Sequence, residues 1–196
     1  MKIIFTLLFT LIFGWVMGQS STKSDFKQLL KTLPGEYDAP EMYILVAKIN
    51  APTLGKNVFY TRYFDKIKAK RYRQRIQVWN FQDGIITQKS FNIVPDSLYD
   101  NLHQHTENIE TVAQSLKPSL ACASMWQKID DHFEGTIRDC PMYSERRKGN
   151  ILISDKQFLS KTALKTSEWA KDETGKNLFG SPDKYALELR KIKQTD

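Results

Sequence analysis

The residues best suited to bind a ligand lie in one basic and aromatic run of the sequence, residues 71–81. Alternate side chains of a β-strand share a face, so Arg73, Arg75 and Trp79 fall together and Ile76 falls on the other face. Guanidinium groups bind carboxylates through paired hydrogen bonds. The arginine face therefore suits a ligand with carboxylates and a flat conjugated body.

The same pattern permits a second interpretation, in which the arginines face solvent and Ile76 and Val78 face the core. The spacing alone does not separate the two. If the arginines point inward, Tyr60 on the preceding strand and Trp79 are candidate stacking surfaces for the ligand.

The two cysteines, Cys122 and Cys140, predict a disulfide across a β-hairpin. They lie at equal distances from Asp131 along the chain, so a register centred on that residue places them opposite each other. A bulge at Gly135 would shift this register by one residue. A bridge of this span contributes about 3 kcal/mol and indicates an oxidising compartment.

The three histidines do not predict a metal site. His103 and His105 fall on different faces of a predicted helix, and His132 lies in the hairpin. We expect no metal and no resident cofactor, and residue spacing identifies no catalytic residue.

The N-terminus predicts a secretory signal peptide over residues 1–18. Lys2 precedes an apolar run, residues 3–17, that is shorter than the roughly 20 residues a membrane-spanning helix needs. We therefore expect a mature domain over residues 19–196, secreted or periplasmic, without stable membrane insertion.

The charge of the mature chain is moderately basic. Removing Lys2 changes 29 basic against 22 acidic residues to 28 against 22, a net charge of +6. Three basic clusters are spread along the chain, and an exported protein rarely meets nucleic acid. We expect solvated surface charge and no nucleic-acid partner.

Strand patterns dominate the mature chain and predict an all-β domain with short helices. One helix is expected first, with Ser24 as N-cap, Phe26 and Leu29 on its apolar face, and Pro34 beyond its end. A helical crossing is expected over residues 97–116. The predicted strands cover residues 42–49, 58–64, 72–81, 85–94, 122–129, 133–139, 151–154, 158–167 and 185–192.

About nine strands with short turns fit a single antiparallel barrel or sandwich. Asp83 and Gly84 form a strong hairpin signal between two of them. We prefer the barrel, because closure removes the strand edges that would otherwise aggregate. The interior of such a barrel is either packed or holds one small ligand.

The order of several short motifs resembles that of the CpcT/CpeT phycobiliprotein chromophore lyases. The resemblance covers roughly residues 26–192, and the order of the motifs is more specific than any one of them. The motifs are Leu33-Pro34-Gly35-Glu36-Tyr37-Asp38, Tyr72-Arg73-Gln74-Arg75, Cys122 ahead of Phe133-Glu134-Gly135-Thr136, Cys140, and Phe179-Gly180-Ser181 followed by Tyr185-Ala186-Leu187.

This resemblance implies a calyx-like barrel, similar to that of lipocalins, that binds a linear tetrapyrrole (bilin). Members of the family help to attach the bilin through a thioether bond to a cysteine of an acceptor protein. By the same resemblance Tyr72, Arg73 and Arg75 belong to the ligand site, with the arginines on the propionates. The implied partners are the ligand, an acceptor with a free cysteine and a second copy in a homodimer.

A bilin lyase also needs a carboxylate that favours the protonated chromophore. Glu36, Asp38 and Glu41 are candidates for this role. Two other functions stand beside the lyase: an exported carrier of a small acidic aromatic or apolar ligand without catalysis, and a structural domain with a packed interior. The direction in which Arg73 and Arg75 point separates the structural domain from the other two.

Overall fold

Strands make up most of the computed structural model, which describes residues 20–94 and 101–195. The predicted signal peptide and the start of the predicted helical crossing lie outside the described residues. The helices are α1 (Lys23–Thr32) and α2 (Ile109–Ala113), with a 3-10 turn (Thr106–Asn108) before α2. The strands are β1 (Gly35–Asp38), β2 (Met42–Ile49), β3 (Val58–Asp65), β4 (Lys70–Gln82), β5 (Ile85–Ile93), β6 (Leu116–Pro118), β7 (Ser124–Ile129), β8 (His132–Ser144), β9 (Gly149–Leu159), β10 (Ala163–Asp172), β11 (Asn177–Phe179) and β12 (Leu187–Lys193).

Ten of these strands close into one antiparallel barrel. Their order is β1-β2-β3-β4-β5-β7-β8-β9-β10-β12, and β12 pairs with β1 to complete the ring. The short strand β6 pairs with β5, and β11 pairs with β10 outside the ring. The predicted all-β antiparallel barrel is confirmed.

Helix α1 begins two residues earlier than the sequence indicated. Thr22, not Ser24, is the N-cap: its hydroxyl accepts from the Asp25 backbone N–H at 3.1 Å, and the Asp25 carboxylate accepts from the Thr22 backbone N–H at 3.0 Å. This reciprocal capping box satisfies two N–H groups that the helix itself leaves unpaired. The Thr22 hydroxyl also donates to the Asp25 carboxylate at 2.6 Å, and this bond and the one from the Thr22 backbone N–H hold the pKa of Asp25 below its ordinary value.

The apolar face of α1 closes one end of the barrel. Phe26 stacks on Phe81 at a centroid distance of 5.8 Å. Leu29 is fully buried in the same core cluster as Trp79 and Trp126. This end of the barrel is therefore a packed hydrophobic core.

The C-terminal end of α1 is held to the barrel through its last carbonyl groups. The Tyr37 hydroxyl donates to the Leu33 carbonyl at 2.6 Å, and Lys191 Nζ donates to the Thr32 carbonyl at 2.5 Å. Burial raises the pKa of Tyr37 and lowers the pKa of Lys191 to about 8. These contacts satisfy carbonyls that have no partner within the helix.

A second apolar cluster lies on the outer side of β3 and β4. There Tyr60, Ile76 and Val78 pack against Ile109 and Val112 of α2. In the part of the crossing that the structure describes, the predicted helix consists of the 3-10 turn and the short α2.

The hairpin of β7 and β8 differs by one residue from the predicted register. Trp126 pairs with Gly135, and the turn is centred between Asp130 and Asp131. Where β8 pairs with β9, β8 has one extra residue between Ile137 and Cys140. This extra residue compensates for the shift of the hairpin register. Cys122 and Cys140 form the predicted disulfide, with Cα atoms 5.8 Å apart.

Strands β9 and β10 also differ from the prediction. The sequence suggested one strand over residues 158–167, but the chain reverses between Leu159 and Ala163. The Ser160 hydroxyl accepts from the Ala163 backbone N–H at 3.1 Å in this turn. Strand β9 also runs without a break through Asp155, whereas the sequence suggested a loop there.

Gly135 is predicted to be intolerant of a side chain. An alanine Cβ at this position would overlap the ring of Trp126, which lies directly across the hairpin. Gly135→Ala should lower the free energy of unfolding by about 1–3 kcal/mol, measured by chemical denaturation. Gly149→Ala is the matched control, because the nearest atom to an alanine Cβ there, adjacent residues aside, is the Arg147 carbonyl oxygen at 4.0 Å. This substitution should change the free energy of unfolding by less than about 0.5 kcal/mol. Equal effects of the two substitutions would contradict this packing.

Candidate ligand cavity

The barrel contains a cavity of about 390 Å³ at the end away from α1. Its apolar side is formed by Met42, Ile44, Tyr63, Leu164 and Leu187, which belong to or pack against the main core. Its polar side carries two arginines, two carboxylates and several amides and hydroxyls: Arg73, Arg75, Asp155, Glu168, Gln77, Gln88, Gln157, Ser90, Thr166 and Ser167. The interior therefore has a packed apolar end and a polar open end.

Strand β4 carries this change of polarity along one face. Arg73 lies opposite Tyr63 and Arg75 opposite Thr61, and both arginines line the cavity. Further along the same face Gln77 is buried, and Trp79 is only 1% exposed. The inward direction of the two arginines agrees with the first interpretation of the sequence.

Tyr72 lies at the rim because β4 bulges at this residue. Tyr63 pairs with Arg73 and Phe64 with Arg71, so Tyr72 is the extra residue. Its hydroxyl accepts from Arg73 Nη2 at 3.2 Å, and the Arg73 guanidinium carbon lies 5.0 Å from its ring centroid. The half-exposed ring orients the arginine at the mouth of the cavity.

The two arginines keep hydrogen-bonding capacity inside the cavity. Arg75 Nε donates to Asn92 Oδ1 at 3.4 Å. Within residues 20–94 and 101–195, no carboxylate oxygen lies within 4.0 Å of the guanidinium nitrogens of Arg73 or Arg75. Because a guanidinium has five N–H donors, the remaining donors are open to water or a ligand.

Asp155 is the carboxyl group most affected by the cavity. Its carboxylate accepts from the Ile137 backbone N–H and from Gln157 Nε2, each at 3.0 Å. Burial raises the pKa of Asp155 to about 6, with a further upward contribution from the charge of Glu168 and a downward one from Arg75. This side chain can therefore take up or release a proton near neutral pH.

A second hollow of about 380 Å³ adjoins the cavity. Both are lined by Arg73, Arg75, Leu120 and Glu168, and the second one extends to Met142 on β8. A ligand held by the arginines thus has space on both sides of them.

Two predicted stacking residues lie away from the cavity surface. Tyr60 is on the outer side of the wall, where its ring stacks on His103 at 5.5 Å and its hydroxyl donates to Gln74 Oε1. This corrects the expectation that Tyr60 stacks on a ligand, since its strand position faces α2. Trp79 faces inward as expected but is buried in the core against Trp126, with ring centroids 5.1 Å apart.

The carboxylates proposed from the sequence also lie elsewhere. Glu36 is 3.4 Å from Lys193 Nζ and Asp38 is 3.0 Å from Lys66 Nζ, while the Glu41 carbonyl accepts from the Lys66 backbone N–H in the turn after β1. None of these three lines the cavity. Asp155 and Glu168 line the cavity instead. The alternation of Asp155, Gln157 and Leu159 along one face of β9 would have indicated Asp155 from the sequence.

The described residues show neither a metal site nor a membrane-spanning helix. No group of three or more His, Cys, Asp or Glu side chains in them is placed to hold a metal ion. None of their helices has the length and apolar character needed to cross a bilayer.

Comparison with known proteins supports the fold. No family model matches the chain, and no curated protein matches its sequence. A solved structure of the CRL protein of Arabidopsis, in selenomethionine form, is similar in fold with a TM-score of 0.65. The two share 13% sequence identity, and the match covers 87% of this chain and 99% of that one. At this identity the likeness shows the fold alone.

Asp155 should make the protein less stable as the pH rises. Its pKa in the folded state, about 6, lies above its ordinary value of 3.8, so between these values the folded state holds a proton that the unfolded state has lost. The contribution of Asp155 to stability is thus present below about pH 4 and lost as the pH rises through 6. In the wild type, the free energy of unfolding should fall by about 2 kcal/mol as the pH rises over this interval, measured by denaturation at a series of pH values. In Asp155→Asn this fall should be absent.

Asp131→Asn is the matched control, because it makes the same change at a side chain that is 96% exposed on the β7–β8 turn. The wild-type pH dependence should remain in this variant, since Asp155 is unchanged. An identical pH profile in wild type and Asp155→Asn would contradict the prediction.

Proposed function

We propose that the barrel binds a ligand with carboxylate groups on an apolar or conjugated body. The observation that carries this proposal is the position of Arg73 and Arg75 in the cavity, without a carboxylate of the described chain within 4.0 Å of either guanidinium. The apolar wall formed by residues such as Ile44 and Leu187 provides a surface for the body of the ligand.

The energetics of the arginines support an anionic ligand. A charge in a partly enclosed cavity loses hydration, and this loss is offset only by close partners. Asp155 and Glu168 neutralise part of the arginine charge at a distance, but the Asp155 carboxylate accepts its hydrogen bonds from Ile137 and Gln157 and not from the arginines. Ligand carboxylates would supply the close hydrogen-bonded partners that residues 20–94 and 101–195 do not.

A linear tetrapyrrole is the proposed ligand class. Its two propionates match the two arginines, and its extended conjugated body matches the pair of adjoining hollows on either side of them. The motif order that resembles the CpcT/CpeT lyases, including Tyr72, Arg73 and Arg75, supports the same ligand. The resemblance also suggests a homodimer, and the disulfide is compatible with a secreted or periplasmic location.

Chromophore attachment is the activity that the resemblance adds to binding. The sulfur of a thiol would form a bond to the exocyclic ethylidene carbon of the bilin, and the proton would add to the conjugated system, with no atom lost. Both cysteines of this chain are in the disulfide, so the thiol belongs to an acceptor protein. Asp155, with a pKa of about 6, is the proposed group that passes this proton on: it donates a proton to the bilin, and the proton released by the thiol restores it.

A carrier without catalysis is the second candidate function. The apolar wall and the arginine pair would serve an acidic apolar ligand equally well, and no thiol of the chain takes part. Incubation with a bilin and a cysteine-containing acceptor separates the two functions. A covalent adduct on the acceptor supports the lyase, and binding without an adduct supports the carrier.

Arg73→Leu should weaken the binding of biliverdin by about 2–5 kcal/mol, because a ligand carboxylate loses its charged partner. The measurement is a titration followed by the absorbance of the bilin. Biliverdin dimethyl ester, which lacks the carboxylate charges, should bind wild type weakly and should be affected little by Arg73→Leu.

Arg190→Leu is the matched control, because Arg190 is an exposed residue of β12 outside the cavity and the substitution changes the charge equally. Its affinity for biliverdin should equal that of wild type. Unchanged affinity in Arg73→Leu, or equal affinity of wild type for the acid and its ester, would reject the arginine site.

A further inference from the structure

Exposed apolar side chains concentrate at the mouth end of the barrel, where β4 begins and β8 ends. Ile67, in the turn between β3 and β4, is 79% exposed. Six of the nine large apolar side chains that are exposed in the described part of the chain lie at this end. They are Ile67, Tyr72, Val94, Met142, Tyr143 and Phe179.

The same end carries two basic turns. The β3–β4 turn contributes Lys66, Lys68 and Lys70, and the β8–β9 turn contributes Arg146, Arg147 and Lys148. Residues 65–70 and 145–148 together hold these six cations and two acidic residues, Asp65 and Glu145, a net charge of +4 before Asp38 of β1, which pairs with Lys66, is counted.

Some of these cations are paired and others are not. Lys66, Lys68 and Lys148 have carboxylates at 3.0, 3.4 and 3.6 Å, respectively. For Lys70, Arg146 and Arg147, no carboxylate of residues 20–94 or 101–195 lies within 4.0 Å. The mouth therefore presents cations that are free to bind phosphate groups.

We propose that the mouth of the barrel docks on an anionic membrane surface. Ile67 lies between Lys66 and Lys68 on a turn that projects from the barrel, so its side chain can enter the interfacial region while the amines stay among the headgroups. Basic residues near an anionic bilayer contribute favourable electrostatic energy in the same contact.

The arrangement of the apolar groups favours a bilayer over an acidic protein. A stable protein interface needs a continuous complementary area of about 800 Å² on each partner. Ile67 and Tyr143 belong to different hairpins, and the hollow lined by Tyr72 and Met142 lies at the same end. Separate apolar tips beside an opening match a deformable lipid surface better than a rigid protein surface.

Docking in this orientation would place the cavity opening at the bilayer. Arg73 and Tyr72 lie at this opening, so an acidic apolar ligand could pass between the membrane and the cavity with little exposure to water. The docking proposal depends on the mouth surface alone and holds for any ligand of the cavity.

The test is co-sedimentation of the exported protein with vesicles of phosphatidylglycerol and phosphatidylcholine in equal parts, at low salt. We expect binding to these vesicles, and none to phosphatidylcholine alone. Arg146→Gln combined with Arg147→Gln should weaken the partition by about fivefold for each charge removed. Ile67→Ser should weaken it by about threefold or more, because the apolar contact is lost.

Lys27→Gln combined with Lys31→Gln is the matched control, since these exposed lysines lie on α1 at the closed end and carry the same charge change. This variant should partition as wild type does. Equal loss in the two double variants, unchanged partition of Ile67→Ser, or binding to polyglutamate with none to vesicles would overturn the proposal. Circular dichroism verifies the fold of each variant.

Discussion

Two guanidinium groups inside a barrel cost free energy unless water or anions solvate them, and this cost governs how the interior is arranged. Around Arg73 and Arg75 the barrel cannot be filled with apolar side chains, so amides, hydroxyls and the carboxylates of Asp155 and Glu168 line that region. The cavity is a consequence of the charges. A packed structural domain would have placed both arginines on the outer side of the wall.

The packed end provides the stability that the polar end lacks. Helix α1, fixed by its capping box and by the contacts of Tyr37 and Lys191, closes the barrel over the cluster that contains Trp79 and Trp126. The disulfide joins β8 to Cys122 in the segment before β7, which lines the cavity. The polar wall is thus held by a covalent link and by strand pairing instead of by core packing.

The strands, the barrel and the disulfide could be predicted because alternation and turn residues are local signals. Asp155 was missed because its charge was taken to mark a loop between two strands. In a barrel with a polar cavity, a charged residue of a strand can instead face inward. Tyr60 was misplaced because alternation shows which residues share a face and does not show which face is inside. The one-residue shift of the hairpin register, and the extra residue of β8 near Asp139 that compensates for it, had no signal in the residue pattern.

The proposed role of Arg73 and Arg75 is to anchor the carboxylates of a ligand in the cavity. A crystal structure of residues 19–196 with biliverdin tests it most directly. We predict that the two propionates lie within hydrogen-bonding distance of the two guanidinium groups, with the conjugated body along the apolar wall. A structure in which biliverdin lies outside the barrel, or in which both guanidinium groups point into bulk solvent, would contradict the account.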